Sequence, residues 1–267
     1  MSRLTFLCLV LLTSVANGQV KIFHLDKLDS SNFRTFIASK KVIVVGEMHG
    51  TTEVPMFVLQ LVRQLKKDQK KLTVGLEIPI NHQEDIDSYM KTGDFEKLLK
   101  LEHFKYPDGR TSVAMGELMK GLRKIKKVKV VCFDIPANTP ASVNRDSLMG
   151  VNLANIYKAG QMVMLTGNLH ANLKEGYWRP QFKSATFYFN QIEKFNNELI
   201  SLNTLFGSGT IWNCMSDGCK EREAFGNPNH ALKKGPPDYM AVYNDPQNGY
   251  NGYVYINKVT ASKPLVN

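Results

Sequence analysis

Two histidines occupy matching places, each three residues after a glycine that follows an apolar run. The first segment, residues 46–49, reads GEMH and the second, residues 167–170, reads GNLH, so the histidines are His49 and His170. An imidazole can take a proton from water near neutral pH, and a neighbouring carboxylate can orient it. Two imidazoles with convergent carboxylates can equally hold a divalent metal ion. The pair therefore indicates either general acid–base chemistry or a metal centre.

Carboxylates end apolar runs in the same way. Glu47 lies inside the first histidine segment, Glu77 follows the run 72–76, and Asp134 follows the run 128–133. One such residue is unremarkable, because a glutamate at the end of a strand can be solvated and Glu47 can be a helix-start residue favoured by the helix dipole. Four successive apolar runs that end in histidine or carboxylate indicate a shared site.

Two arginines are further candidates. Arg145 stands near the predicted start of a helix, where its planar fork could fix an anionic group or simply be solvated. Arg110 lies in the segment 108–112, a turn that leads into a helix cap and could be a plain loop or part of a binding site.

The elements that must position these side chains alternate along the chain. Strands are predicted at 41–45, 72–76, 128–133 and 161–165, and helices at 55–66, 81–90, 95–101, around 115–125 and at 142–157. After residue 184 the pattern predicts strands at 185–189, 210–212, 239–242 and 253–256. Strands separated by helical stretches imply crossovers and a parallel core. We therefore expect an α/β fold: a mainly parallel central sheet with helices on both faces and extra strands after residue 184, in a single domain over 19–267. In such a sheet, ligands bind beyond the carboxyl ends of the strands, where the candidate residues stand.

The first 18 residues read as a secretory signal peptide. They contain Arg3, an apolar run over 4–15 and the small-residue site at 16–18. The run is too short to span a membrane, and no later stretch is long and apolar enough. We expect cleavage near Gly18 and a secreted or periplasmic protein.

The mature chain then holds three cysteines. Cys214 and Cys219 flank a turn-forming segment, which predicts a small disulfide loop, whereas Cys132 lies in an apolar run and is predicted to be a buried thiol.

The net charge is +10, from 34 basic and 24 acidic residues. Because the basic residues are scattered pairs without a recognition module, we expect no nucleic-acid partner.

The motifs resemble one known superfamily. The segments VVGEMHGTTE, LEIP, FDIP, NRDSLMGVN and LTGNLHA occur in the order of the erythromycin esterase/ChaN-like superfamily, which includes the Tiki and TraB proteins. The resemblance covers about 41–171. The stretch 85–93 is similar to the ChaN-like haem-uptake proteins, whereas HGTTE and the Arg-Asp-x-x-Met segment look more like the esterases. Only Met48 separates Glu47 from His49, which is the spacing of ChaN and Tiki, since the esterases have one more residue there.

The resemblance implies roles for matching positions. Glu47 and His49 match the first motif, Glu77 the acid after the second strand, and His170 the second motif; Glu53, Asp134 and Arg145 match positions typical of the esterase branch. In that branch the first-motif histidine activates water, in Tiki-like members the matching residues bind a divalent metal, and ChaN-like members bind haem.

Two hypotheses follow. The first is an exported hydrolase acting on a small-molecule or peptide substrate. In it His49 is general base or metal ligand oriented by Glu47 or Glu77, Arg145 stabilises negative charge, and His170 is a second acid–base group. The supporting residues are Glu53, Asp134 and Arg110, and the candidate metal ligands are His49, Glu77 and His170. The alternative is a haem- or small-ligand-binding protein without turnover, in which a histidine or one of Tyr89, Tyr106 and Tyr157 ligates iron.

Overall fold

The computed structural model describes residues 20–69, 71–226, 230–232 and 236–266, with the side chains of 244–246 left aside. The predicted signal peptide, and Cys8 within it, lie outside the described residues. Within the described ranges, no helix combines the length and apolar character needed to cross a bilayer.

The strands and helices follow the expected alternation, with additions at both ends. The strands are β1 Lys21–His24, β2 Val42–Glu47, β3 Leu72–Pro79, β4 Val128–Asp134, β5 Gln161–Gly167, β6 Leu199–Met215, β7 Gly218–Glu223, β8 Tyr239–Gln247 and β9 Tyr250–Val259. The α-helices are α1 Ser31–Ala38, α2 Glu53–Asp68, α3 Gln83–Thr92, α4 Phe95–Leu99, α5 Val113–Arg123, α6 Arg145–Ile156, α7 Asn168–Ala171 and α8 Ala185–Glu193.

The strands form one open, mostly parallel sheet, which confirms the predicted fold class. Its order is β1-β8-β9-β6-β2-β5-β3-β4, and β7 pairs with β6 off this path. The run from β9 to β4 is parallel throughout, whereas β1, β8 and β7 pair antiparallel with their neighbours. The strands after residue 184 extend the same sheet, as predicted: β6 pairs with β2, β9 with β6, and β8 with β9.

Helices cover both faces, because the central strands present apolar side chains to both sides. In β2, Ile43 and Val45 join the larger cluster with α2 and α5, while Val42 and Val44 join the cluster packed by α6 and α8. The four residues are at most 1% exposed. A strand buried on both faces needs no polar alternation, which is why it reads as a continuous β-branched run.

The predicted strand at 185–189 is wrong, because these residues form the first part of α8. Its Thr, Phe and Tyr content favours a strand, but the Ser184 hydroxyl caps a helix by accepting from the Phe187 N–H at 3.0 Å. Ala185 and Phe189, one helical turn apart, bury that face in the cluster with α6. Tertiary packing therefore overrides the local propensity.

The cysteine prediction is confirmed. Cys214 and Cys219 form a disulfide across the β6–β7 hairpin, where they are a register pair, and Cys132 is a buried free thiol in β4. Burial raises the pKa of the Cys132 thiol to about 12, so it is unreactive.

Candidate functional site

Four neighbouring strands bring the candidate residues to one rim. Across the sheet the order is β2, β5, β3 and β4, and the ends of these strands carry His49, His170, Glu77 and Asp134 in the same order. Glu47 of β2 is in register with Gly167 of β5, so the two histidine segments leave the sheet side by side. The rim therefore holds all four strand-end groups that the sequence indicated.

His49 is held by Glu47 rather than by Glu77. Its Nδ1 lies 2.9 Å from Glu47 Oε1, and its Nε2 lies 3.8 Å from Glu77 Oε2, beyond hydrogen-bond distance. Since a carboxylate only accepts, Nδ1 carries the proton and Nε2 keeps its lone pair in the neutral ring. Burial alone would lower the pKa of His49, but Glu47 and Glu77 outweigh it and raise this pKa above its usual value. The arrangement is a carboxylate-oriented imidazole whose Nε2 faces the site.

Glu77 is a buried, fully paired anion. The β3–β4 register shifts between Leu76 and Pro79, and such an irregularity can re-aim a side chain next to a site. Here Glu77 Oε2 accepts from the Thr166 hydroxyl at 2.7 Å and from the Gly167 N–H at 2.8 Å. Burial would raise its pKa, but the two rim histidines and Arg145 hold it far below the usual range. Glu77 thus stays ionised.

Arg145 joins the carboxylates of two strands. At the first position of α6, it donates through Nε and Nη2 to Asp134 at 2.9 and 2.8 Å, and through Nη2 to Glu77 at 2.7 Å. A further bond runs from Nη1 to His170 Nε2 at 2.9 Å. Within the described part of the chain, these bonds engage four of its five N–H groups, which leaves one N–H on Nη1. The side chain is 33% exposed, so this hydrogen can reach a ligand.

His170 belongs to a second carboxylate–histidine pair. Its Nδ1 donates to Asp146 Oδ1 at 2.6 Å, and its Nε2 accepts from Arg145, which requires the neutral ring. Burial alone would lower the pKa of His170, but Glu77 and Asp146 raise it on balance. Protonation at low pH would therefore break the Arg145 bond and set two cations side by side.

The histidines meet at Gly167. A methyl group there would lie 3.0 Å from His49 Nε2, 3.4 Å from His170 Cδ2 and 3.7 Å from Glu77 Oε2. Both imidazoles consequently face one small space beside a backbone without a side chain. The absence of a Cβ at Gly167 keeps that space open.

The segment 108–111 packs against the backbone of His49 and Gly50 and carries Arg110. Gly109 packs so closely that a methyl group on it would lie 2.3 Å from the Gly50 nitrogen, and Trp212 of β6 donates to the Pro107 carbonyl at 2.7 Å. Arg110 is paired with Asp108, and its charge lowers the pKa of His49, which the carboxylates raise more strongly. Among the described residues, this pairing leaves both Nη1 hydrogens and one Nη2 hydrogen of Arg110 without an acceptor.

Some assignments differ from the sequence reading. Glu53 lies at the start of α2, where its carboxylate accepts from the Thr260 N–H at 2.9 Å, and within the described part of the chain it forms no hydrogen bond to the four rim groups. Asp146 and Asp108, which orient His170 and Arg110, were not among the predicted site residues. Asp146 directly follows Arg145, and Asp108 stands two residues before Arg110 in the same turn. This closeness in sequence is the signal that could have identified them.

The three candidate metal ligands do not fit a metal ion. Both Glu77 oxygens accept hydrogen bonds, and the Arg145 guanidinium lies where a cation shared by Glu77 and His170 would have to bind. Over the described ranges, no group of three histidine, cysteine or acidic side chains is arranged to hold a metal.

The tyrosines considered for haem lie apart from the histidines. Tyr89 is buried against Phe95, and Tyr157 donates to the Gly160 carbonyl at the opposite end of the sheet. Tyr106 is 38% exposed and lines a cavity next to β3 and β4. No tyrosine of this set contacts the rim in the described structure.

Comparison with known proteins shows the fold. The erythromycin esterase EreC, as a mutant in its open conformation, aligns with a TM-score of 0.68 and 8% identity over 93% of this chain and all of the other. A Bacillus cereus protein aligns at 0.65 and 13%, covering 91% of this chain and 94% of its own. A succinoglycan biosynthesis protein aligns at 0.59 and 10%, covering 87% and 91%. No family model and no curated protein matches the sequence. The resemblance that the motifs indicated is thus confirmed at the level of the fold.

Proposed function

We propose that this chain is a hydrolase that cleaves an ester of a small molecule by direct attack of water, with His49 as general base. The observation that carries the proposal is the His49 ring itself. Its Nδ1 is held by Glu47, while Nε2 lies next to the open space at Gly167. A structural histidine normally pairs both nitrogens, whereas a general base needs one that is free.

The proposed reaction conserves its protons. His49 Nε2 takes a proton from water as the water oxygen bonds to the ester carbonyl carbon, which gives a tetrahedral oxyanion and an imidazolium. The carbon–oxygen bond to the alcohol then breaks, and the imidazolium returns the proton to the leaving alkoxide. Glu47 stabilises the imidazolium in between, and general base catalysis of this kind contributes roughly 10²–10⁴ in rate.

Arg110 has more free donors than Arg145 with which to stabilise the oxyanion. Arg145 already donates to two carboxylates and retains one N–H, whereas among the described residues Arg110 donates from its side chain to Asp108 alone and retains three. Preorganised donors aimed at a developing oxyanion can each contribute about 3–4 kcal/mol. We therefore assign the main electrostatic role to Arg110, with the remaining Arg145 N–H in support.

The second pair, Asp146 and His170, acts as a positioning device. His170 accepts from Arg145, whose guanidinium in turn holds Glu77 and Asp134 in place. The chain from α6 through Arg145 to β3 and β4 fixes one wall of the site. We assign His170 to this wall rather than to proton transfer, because its Nε2 is already occupied.

Export belongs to the proposal as well. The disulfide in the β6–β7 hairpin is compatible with an oxidising compartment, and the first 18 residues have the layout of a signal peptide. Mass spectrometry of the exported chain should find an N-terminus near Gln19.

The experiment is a hydrolysis screen of short-chain p-nitrophenyl and sugar esters with the mature chain, its His49→Ala variant and a His24→Ala control. His24 stands at the end of β1, away from the rim. Activity should be lost in His49→Ala with an unchanged thermal melt, and it should persist in His24→Ala and after dialysis against a metal chelator.

Two results would overturn the proposal. One is equal activity of the wild type and His49→Ala. The other is no hydrolysis together with a saturable absorption change on haem addition that His49→Ala abolishes, which would establish the haem-binding alternative.

A further inference from the structure

A cavity of about 460 Å³ adjoins the rim on the side of β3 and β4. It is lined by Pro79, Asn81, His82, Glu102, His103, Tyr106 and residues 136–138. Pro79 ends the strand that carries Glu77, and Pro136 follows Asp134 by two residues, so the cavity begins where the proposed site ends. Its size is within the range of small-ligand sites.

His103 gives this cavity a buried polar group without a hydrogen-bond partner among the described residues. The residue is 4% exposed, and neither ring nitrogen forms a hydrogen bond to any described residue; Nε2 is buried without a partner. A buried polar group without a partner is costly, so such a ring normally marks an acceptor or donor supplied from outside. Its neighbours are His82, whose ring centroid is 6.2 Å away, and Phe104 at 5.3 Å.

Burial and the charges of Arg110 and His82, partly offset by Asp134 and Asp108, lower the pKa of His103 to about 4, so the ring is neutral at physiological pH. A neutral imidazole offers one donor and one acceptor, which suits a hydroxyl group rather than an anion. Glu102 on the cavity wall also disfavours anions.

The remaining lining fits the same chemistry. Asn81 and Asn138 offer amide donors and acceptors, while the Tyr106 ring and Pro79 provide apolar faces. We infer that this cavity binds a neutral, polyhydroxylated group such as a sugar ring, the alcohol part of the ester, with His103 as its specificity-determining residue. This inference rests on the proposed function, because the cavity extends that site.

The test uses methyl α-D-glucopyranoside as probe, tetrahydropyran as the hydroxyl-free control, and histidine side-chain ¹H–¹⁵N NMR of the full mature chain. The glucoside should shift the His103 ring signals saturably with millimolar affinity, and His103→Phe should weaken binding about tenfold or more, since a hydrogen-bonding site is lost. Phe keeps a ring of similar shape and removes both nitrogens. Should that variant fail to fold, Tyr106→Ala, at an exposed position, should weaken binding as well.

Activity provides a second readout. His103→Phe should lower kcat/KM for a sugar ester about tenfold more than for p-nitrophenyl acetate, because the p-nitrophenyl leaving group carries no hydroxyl that the ring could bond. Glucoside binding should persist in His49→Ala, so a failure of hydrolysis would reject the proposed function and leave the cavity assignment standing. An unresponsive His103 ring, or an equal response to tetrahydropyran, would overturn the inference, since the ring would then pair with solvent alone.

Discussion

Replacing Glu47 by Gln isolates the charge that orients His49. The amide can still accept from the His49 Nδ1–H through its oxygen, and its NH₂ takes the place of Oε2, an atom that accepts no hydrogen bond from the described residues. The shape of the pair is therefore kept while its charge is removed. We expect two effects, a lower pKa of His49 and a slower reaction.

The energy of the interaction between Glu47 and protonated His49 follows from the 2.9 Å separation of His49 Nδ1 and Glu47 Oε1. At this distance an ion pair is worth about 1.4 kcal/mol in bulk water and about 6 kcal/mol at an effective dielectric constant of 20. The His49 side chain is 27% exposed, which places the coupling nearer the lower limit, at about 1.5–3 kcal/mol. Glu47→Gln removes this coupling, so the pKa of His49 should fall.

The same coupling sets the rate effect. In the proposed reaction Glu47 stabilises the imidazolium that forms as water is deprotonated, so the loss of its charge should slow hydrolysis about 10- to 100-fold on the pH plateau. Because the base must be neutral, wild-type activity should rise with pH through an inflection above 6.5, the ordinary His49 value. In Glu47→Gln this inflection should move to lower pH.

The assay is the pH dependence of kcat/KM, together with an NMR titration of the His49 ring without substrate. Glu53→Gln is the matched control, because it removes a carboxylate that bonds the Thr260 N–H and should leave both curves unchanged. An inflection that stays in place or moves upward in Glu47→Gln would refute the assignment of Glu47 as the orienting carboxylate.

Three other predictions concern the wall of the site. Arg145→Met should destabilise the fold by about 3–5 kcal/mol in denaturant titrations, because it leaves two buried carboxylates without their cation. Arg34→Met breaks an exposed pair and should cost at most about 1 kcal/mol, and similar losses in the two variants would contradict the pairing. Gly167→Ala should abolish turnover, since its methyl group would lie 3.0 Å from His49 Nε2. Gly75→Ala, whose methyl group would lie 3.4 Å from its nearest neighbour, should stay active. Retained activity in Gly167→Ala would argue against water binding at this position. The pKa of Glu77 is depressed in the folded state, so this carboxylate stabilises the fold above its unfolded pKa of about 4.3, and the stabilisation is lost as the pH falls below that value. In Glu77→Gln this contribution to the pH dependence of the unfolding free energy should disappear. An unchanged pH dependence in the variant would refute the prediction.

Sequence patterns predicted best what is decided locally. The runs that became β2 through β5 are buried on both faces, so their composition alone indicates strands, and their ends then mark a common rim. The segment 185–189 failed for the opposite reason. Its residues favour a strand locally, and only the cap at Ser184 and the contact of Phe189 with the α6 side of the sheet select a helix.

The sequence by itself determined that two histidines, Glu77 and Asp134 end parallel strands and that Cys214 pairs with Cys219, because each depends on neighbouring residues and short spacing. Only the tertiary structure decided the partners. The strand order places β5 between β2 and β3, the register shift after Leu76 turns Glu77 towards β5, and α6 inserts Arg145 between them. Glu47 is only two residues from His49 in sequence, but its rival Glu77 is held by groups distant in sequence. Arg145, Thr166 and Gly167 engage the Glu77 carboxylate and leave it 3.8 Å from His49 Nε2, beyond hydrogen-bond distance.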